Sequence, residues 1–239
     1  MKAKAAAVKE RGILYSAPMV RATLAPGDAA KTQTRRRMKN MQANGMEVIR
    51  PREQPPGWSM RGRSGVWGFY THEEFLALCP YGRPGDRLWG RETWGMHRHF
   101  DFTDWYTGKV GPAREVDMLR ACNELVYRAD GEIAGAFWRP SILMPRWASR
   151  ITLEITDVRV QRVQDISDED IRAEGVTAEA VRALVGDDFV GLGAAGLGLS
   201  IDSLTPRELW KVGWSAINGA DSWDRNDFVW ALTFRRVEA

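Results

Sequence analysis

The segment AKTQTRRRMKN, Ala30 to Asn40, sets one lysine and two threonines against a run of arginines. A lysine held in a partly desolvated turn can lose its proton and act as a base. A threonine hydroxyl beside it is then a possible nucleophile, and an arginine binds carbonyl or anionic groups. Lys31, Thr34 and Arg36 are therefore the first candidates. Spacing alone does not join them. On a regular strand Thr32, Thr34 and Arg36 line one side, while Lys31, Gln33 and Arg35 line the other. Lys31 and Thr34 cooperate only if Lys31 lies in the turn before the strand, which the upstream PGDAA makes plausible. The alternative is that the run is a solvated basic loop.

A second candidate lies in DISDEDIRAEGV. Ser167 is placed to cap a short helix, with Asp170 closing a capping box and Ile166 and Ile171 forming a hydrophobic staple. Gly175 ends the helix after about two turns. Glu174 follows Ile171 by three residues and shares its inward face. An inward acid is costly unless paired, and in a last turn the helix dipole also disfavours its charge. That setting suits a general acid or the partner of a buried lysine; the other reading is a side chain that reaches solvent.

The remaining chemistry-bearing residues are sparser. Of His72, His97 and His99, the last two are one residue apart in MHRHF and would share a strand face, but two rings fall short of a metal ligand set. They read as loop histidines, and no metal is expected. GDDFVGLGAAGLGLS, Gly186 to Ser200, lacks a P-loop lysine and a preceding strand, so it reads as a flexible loop, with no cofactor implied. Glu92 and Tyr127 fall on expected strands and could reach a pocket mouth. The plainer account pairs Glu92 with Arg91 or Arg128 and buries Tyr127 in the core.

The chain has 239 residues, 44% hydrophobic and 27% charged, an ordinary globular balance. A net charge of +3 is not polycationic, yet Arg35–Arg37 with Lys39, Arg50 with Arg52, and Arg61 with Arg63 are clustered. Such clusters on a nearly neutral chain suggest a confined anion-binding face. Cys79 and Cys122 make no disulfide framework. No apolar run reaches a membrane span, and MKAKAAAVKERG lacks the apolar core of a secretory signal. The expectation is a frayed tail over residues 1–11 before one intracellular domain over 12–239. Eleven tryptophans supply core, with some free to stack on planar rings.

The elements that must position these residues are short. ILYS reads as a strand, and Ser16 caps a brief helix with Val20 and Leu24 on one face. A polar loop is expected from about 38 to 70, then a capping box at Thr71 and Glu74. Leu88 to Thr93 and ELVYRAD read as strands, and 98–123 resists assignment. Ile151, Leu153 and Ile155 alternate, and Val158 and Val160 follow after a slip that marks a bulge. LTPRELWKVGWSAING is a helix with cap, proline and stop, and FVWALTF alternates as a half-buried strand. This order favours an α+β, barrel-like sheet over regular βαβ winding.

Four segments in order carry a resemblance: KTQTRR, PGDRLWGRETW, ITLEITDVRVQRVQDISDEDIRAEG and FVWALTFRRV. Together they resemble the ASCH domain family of the PUA-like superfamily, and within it the long bacteriophage and prophage proteins. The resemblance implies a PUA-like mixed β-barrel with short flanking helices and long insertions near 38–80, 95–123 and 186–203. The family pattern has a glycine where Ala29 stands and an acid where Thr34 stands. A lysine–threonine–arginine pattern is similar to that of the small N4-acetylcytidine amidohydrolases. By that similarity Lys31 is the base, Thr34 the nucleophile and Glu174 the acid that orients Lys31 or protonates the leaving amine. Arg36, with Arg35 beside it, would bind the ligand. The implied activity is amide hydrolysis on an acylated cytidine-like nucleoside, with no cofactor, in the cytoplasm of a bacterial host cell. A non-catalytic reader of RNA or a modified base, and a ribonuclease, are the alternatives. The implied partner is a nucleoside, RNA or DNA, with no membrane.

Overall fold

The computed structural model describes residues 7–38, 46–53, 56–62, 65–97, 125–186 and 200–237. Its strands are β1 (Glu10–Leu14), β2 (Gln33–Arg37), β3 (Met46–Glu53), β4 (Pro56–Gly62), β5 (Trp67–Tyr70), β6 (Arg87–Arg91), β7 (Trp94–His97), β8 (Leu125–Tyr127), β9 (Ala136–Arg139), β10 (Thr152–Arg162) and β11 (Phe228–Val237). The α-helices are α1 (Ala17–Leu24), α2 (His72–Leu76), α3 (Asp168–Ala173), α4 (Ala178–Val185) and α5 (Pro206–Asn218). The chain is thus mixed α+β.

The main sheet has the order β1-β6-β10-β11-β2, parallel at β1/β6 and antiparallel elsewhere. Its long pair, β10 on β11, shifts register between Ile155 and Asp157, where the alternation slips in the sequence. Among the described residues β1 and β2 share no ladder, so backbone pairing does not close the sheet. A side chain links these edges instead: Arg36 Nη2 donates to the Leu14 carbonyl at 2.7 Å.

Facing register partners share a side of an antiparallel pair. Thr34 and Arg36 therefore share a face with Leu232 and Trp230, and there Thr34 is buried against the main core, which also holds Ile13, Leu88 and Phe75. Gln33, Arg35 and Arg37 point to the other face with Val229, which packs against Trp210 and Trp214 of α5. Helices cover that second face, so Val229 to Leu232 are buried on both sides of the strand. The expectation of a half-buried final strand is corrected on that ground.

Two further expectations change. The span from 38 to 70 contains a three-stranded sheet, β3-β4-β5, rather than a long loop. Trp58 of β4 stacks on Phe75 of α2 with centroids 4.7 Å apart, which ties this sheet to the main core. Strand β1 begins within the span expected to be a tail, where Glu10 pairs with Arg87 in the β1/β6 ladder and with Arg146 through its carboxylate. The helices keep their sequence signals. Thr71 with Glu74 and Thr205 with Glu208 form capping boxes, and Gly175 leaves α3 at φ +69°. Among the described residues no helix is long and apolar enough to cross a membrane.

Candidate functional site

Lys31 lies in the turn before β2, pinned from two sides by backbone bonds. Its N–H donates to the Ala22 carbonyl and the Thr32 N–H to the Ala173 carbonyl, each at 2.8 Å. The ends of α1 and α3 thereby meet at this turn. A Cβ on Gly175 would stand 2.8 Å from the Ala22 Cβ and 3.2 Å from the Lys31 Cβ, so this approach requires glycine as well as its positive φ.

Held there, Lys31 is 2% exposed and Glu174 5%. Lys31 Nζ donates to Glu174 Oε2 and to the Glu174 carbonyl, both at 2.6 Å. Arg35 Nη1 donates to Glu174 Oε1 at 3.2 Å, and Arg35 Nη2 to Asp170 Oδ2 at 2.5 Å. Asp170 also accepts from Gln33 and Arg159. Its carboxylate is spent on this basic face. Ser167 still caps α3 by accepting from the Asp170 N–H, but the reciprocal half of the expected box is not formed.

Electrostatics follow from burial. Desolvation pushes the Lys31 pKa down from its usual range, against the opposing pull of the Glu174 carboxylate and its hydrogen bond. Burial raises the Asp170 carboxyl, but bonds from Gln33 and Arg159 and the Arg35 charge outweigh it and hold the group low. Tyr15, next to Ser16, is raised by burial too, with the Arg36 charge opposing and the Glu174 charge adding to the effect.

Beside the pair opens a cavity of about 110 Å³. Its lining includes the polar Lys31, Glu174 and Arg35–Arg37 and the apolar Met19, Trp210 and Trp214. Helix α4 contributes Val181 to the wall. This helix has no counterpart in the sequence reading, although Thr177 caps it by accepting from the Ala180 N–H and TAEAVRALV carries a helical apolar repeat.

The structure brings Lys31, Glu174 and Arg35 into contact and sets Arg36 on the cavity wall. Thr34 is fully enclosed on the core face, its hydroxyl without a hydrogen-bond partner, and it is not among the lining residues. Glu92 and Tyr127 stand apart from the cavity. Arg150 grips Glu92 with Nε to Oε1 at 2.9 Å and Nη2 to Oε2 at 3.1 Å. Tyr127 donates to the Ala148 carbonyl at 2.8 Å, and Arg150 lies 4.1 Å from its ring centre. The structure places Glu92 in an ion pair and Tyr127 in the core, as the plainer account of both expects. The partner is Arg150, because Arg91 turns to the Ile142 carbonyl and Arg128 to Glu132.

His72 accepts from Trp58 Nε1 at 3.1 Å. His97 ends β7 rather than sitting in a loop, and His99 lies outside the described residues, as does most of the glycine-rich stretch, 187–199. Among the described residues no group of three or more His, Cys, Asp or Glu is placed to hold a metal ion. No family model, curated protein or solved structure matches the chain.

Proposed function

We propose that this chain is an amidohydrolase that removes the acyl group from an N4-acylated, cytidine-like nucleoside on an ASCH-type, PUA-like scaffold. The observation that carries the reading is the buried Lys31–Glu174 pair on the wall of a cavity that Trp210 and Trp214 also line. A planar base stacks on aromatic rings with little regard to sequence, which leaves the acyl amide toward the polar lining residues.

Burial favours the neutral amine of Lys31, the form a base must have. Lys31 takes the Thr34 hydroxyl proton as Thr34 Oγ1 attacks the acyl carbon. The C–N bond breaks, and the Lys31 ammonium returns that proton to the departing exocyclic nitrogen. Water then attacks the threonyl ester, releasing the acid and restoring Thr34. Glu174 is a positioning residue, holding the Lys31 amine by two bonds. The Thr34 hydroxyl has no existing bond to give up. Thr34 is enclosed on the core face and does not line the cavity, so the attack requires its side chain to move toward the Lys31 amine and the bound acyl group.

The test is incubation with N4-acetylcytidine, following loss of the acetylated chromophore by ultraviolet absorbance, with Lys31→Ala and Glu174→Ala alongside. Turnover that disappears in Lys31→Ala and falls steeply in Glu174→Ala supports the reading. Absence of turnover in the parent protein opposes it. A second reading, a non-catalytic reader of RNA or a modified base, draws on Arg36 and Trp214 at the same cavity. Base binding without turnover that survives Lys31→Ala and falls with Arg36→Ala favours that one. The resemblance to phage and prophage proteins supports either role inside a bacterial host cell.

A further inference from the structure

The charges on the cavity wall do not balance. Lys31 pairs with Glu174, Arg35 with Asp170 and Glu174, and Arg37 with Asp227 at 3.0 Å. Among the described residues Arg36 is the one lining cation without a carboxylate partner. Its Nη2 is held on the Leu14 carbonyl, its guanidinium lies 5.6 Å from the Tyr15 ring centre, and its Nε is enclosed with no bonding partner.

The bond to Leu14 brings this guanidinium to the segment that carries Ser16. Ser16 also lines the cavity, and it occupies the N-cap of α1 without capping. A serine there ordinarily spends its oxygen on a backbone N–H of the first turn. Here its Oγ is enclosed and unpartnered. Arg36 Nε–H and the Ser16 O–H are both free to donate, and the N-terminus of α1 adds a favourable field for negative charge. An enclosed polar atom without a partner is costly unless a ligand or water completes it.

We propose that Arg36, Ser16 and the first turn of α1 form an oxyanion subsite, so that this cavity prefers a nucleoside substrate that also carries an anionic group. This rests on the nucleoside reading above and deepens it. A phosphate or a carboxylate has the same chemistry here: oxygens that accept from the Arg36 fork and from a hydroxyl. The source is either a 5′-phosphate on the nucleoside or a carboxylate carried by the acyl group.

Trp214 on the cavity wall provides a fluorescence readout of binding that does not depend on turnover. Three probes are titrated: N4-acetylcytidine, its 5′-monophosphate, and N4-succinylcytidine. The expected result is that one anionic probe binds about tenfold or more tighter than the neutral one, as a charge-assisted pair supplies. Preference for the monophosphate assigns the phosphate, and preference for the succinyl compound assigns the acyl carboxylate. Arg36→Gln abolishes that advantage, Arg36→Lys keeps part of it, and Ser16→Ala reduces it while leaving the Arg36 bond to Leu14 in place. Equal binding of all three probes, or an advantage that survives both Arg36→Gln and Ser16→Ala, overturns the subsite. If no nucleoside binds, the nucleoside reading fails, and inorganic phosphate and succinate then decide the subsite. Quenching lost in Arg36→Gln and weakened in Ser16→Ala keeps it, and no quenching removes it. Circular dichroism of each variant separates a lost subsite from a lost fold.

Discussion

Glu174 holds Lys31 twice, through Oε2 and through its own carbonyl, each 2.6 Å from Nζ across 143 positions of sequence. The carbonyl is one of those left over at the end of α3, where the helix dipole welcomes a cation. The carboxylate is thereby shared between an amine and the Arg35 guanidinium, all three groups being enclosed.

Removing that carboxylate strands buried charge. Glu174→Ala is expected to lower unfolding stability by about 3–5 kcal/mol, the usual cost of orphaning one member of a buried pair. The double variant Lys31→Met with Glu174→Leu should recover a large part of the loss, since Arg35 keeps its carboxylate partner Asp170 and its bonds to Gln33 and Gln161. Urea unfolding of the three proteins measures this. A single variant as stable as the parent would show that the pair is not sealed from water.

The pH dependence follows from the sign of the Lys31 shift. Its folded pKa lies below the ordinary 10.5. Between the two values the unfolded chain binds the extra proton, so stability rises with pH across that window and is flat in this term below it. Hydrolysis should rise on a limb centred below 10.5, as the base becomes neutral. Unfolding free energies and rates from pH 7 upward, compared with Lys31→Met, test both. The slope in stability should shrink in the variant and turnover should vanish.

Thr34 separates activity from stability. Its hydroxyl is buried without a partner, so the near-isosteric Thr34→Val removes a penalty of about 1–3 kcal/mol rather than a bond. The variant should melt at or above the parent temperature and have no hydrolytic activity, whereas Thr34→Ser keeps activity. A valine variant that still turns over would assign the attack to water.

Glu92 provides the contrasting case. It is 1% exposed and fully engaged by Arg150, which also binds Asp130 at 2.8 Å. Glu92→Ala should cost about 1–3 kcal/mol, because Arg150 is partly exposed and keeps Asp130, with ligand affinity at the cavity unchanged in the protein that remains folded. Thermal melts and the Trp214 titration check the two halves. A change in affinity with little change in melting would return Glu92 to the binding candidates.

Much of the local structure was legible because its causes are local. Thr205, Pro206, Glu208 and Gly219 mark the start and end of α5 within a few residues of the groups they satisfy. The slip between Ile155 and Val158 announced the bulge of β10 in the same way. Helix α4 escaped notice despite its Thr177 cap, and β3-β4-β5 were hidden because Pro, Gly and Arg blur the alternation of that span.

By itself the sequence determined the candidates: Lys31 before a strand, Glu174 at the inward end of a short helix, and arginines concentrated beside them. The caps, the staple and the glycine stop place each residue on its own element, and those interactions span only a few residues. The resemblance implies the partnership of Lys31 with Glu174, but the other partner choices lay beyond the sequence. That Arg35 shares the carboxylate and that Glu92 belongs to Arg150 depend on helices docking against a sheet. Which buried charge finds which partner is decided by those long-range contacts, because a buried charge must be compensated by whatever the packing brings near. Only the tertiary structure could turn Thr34 to the core face and leave Arg36 unpaired on the cavity wall.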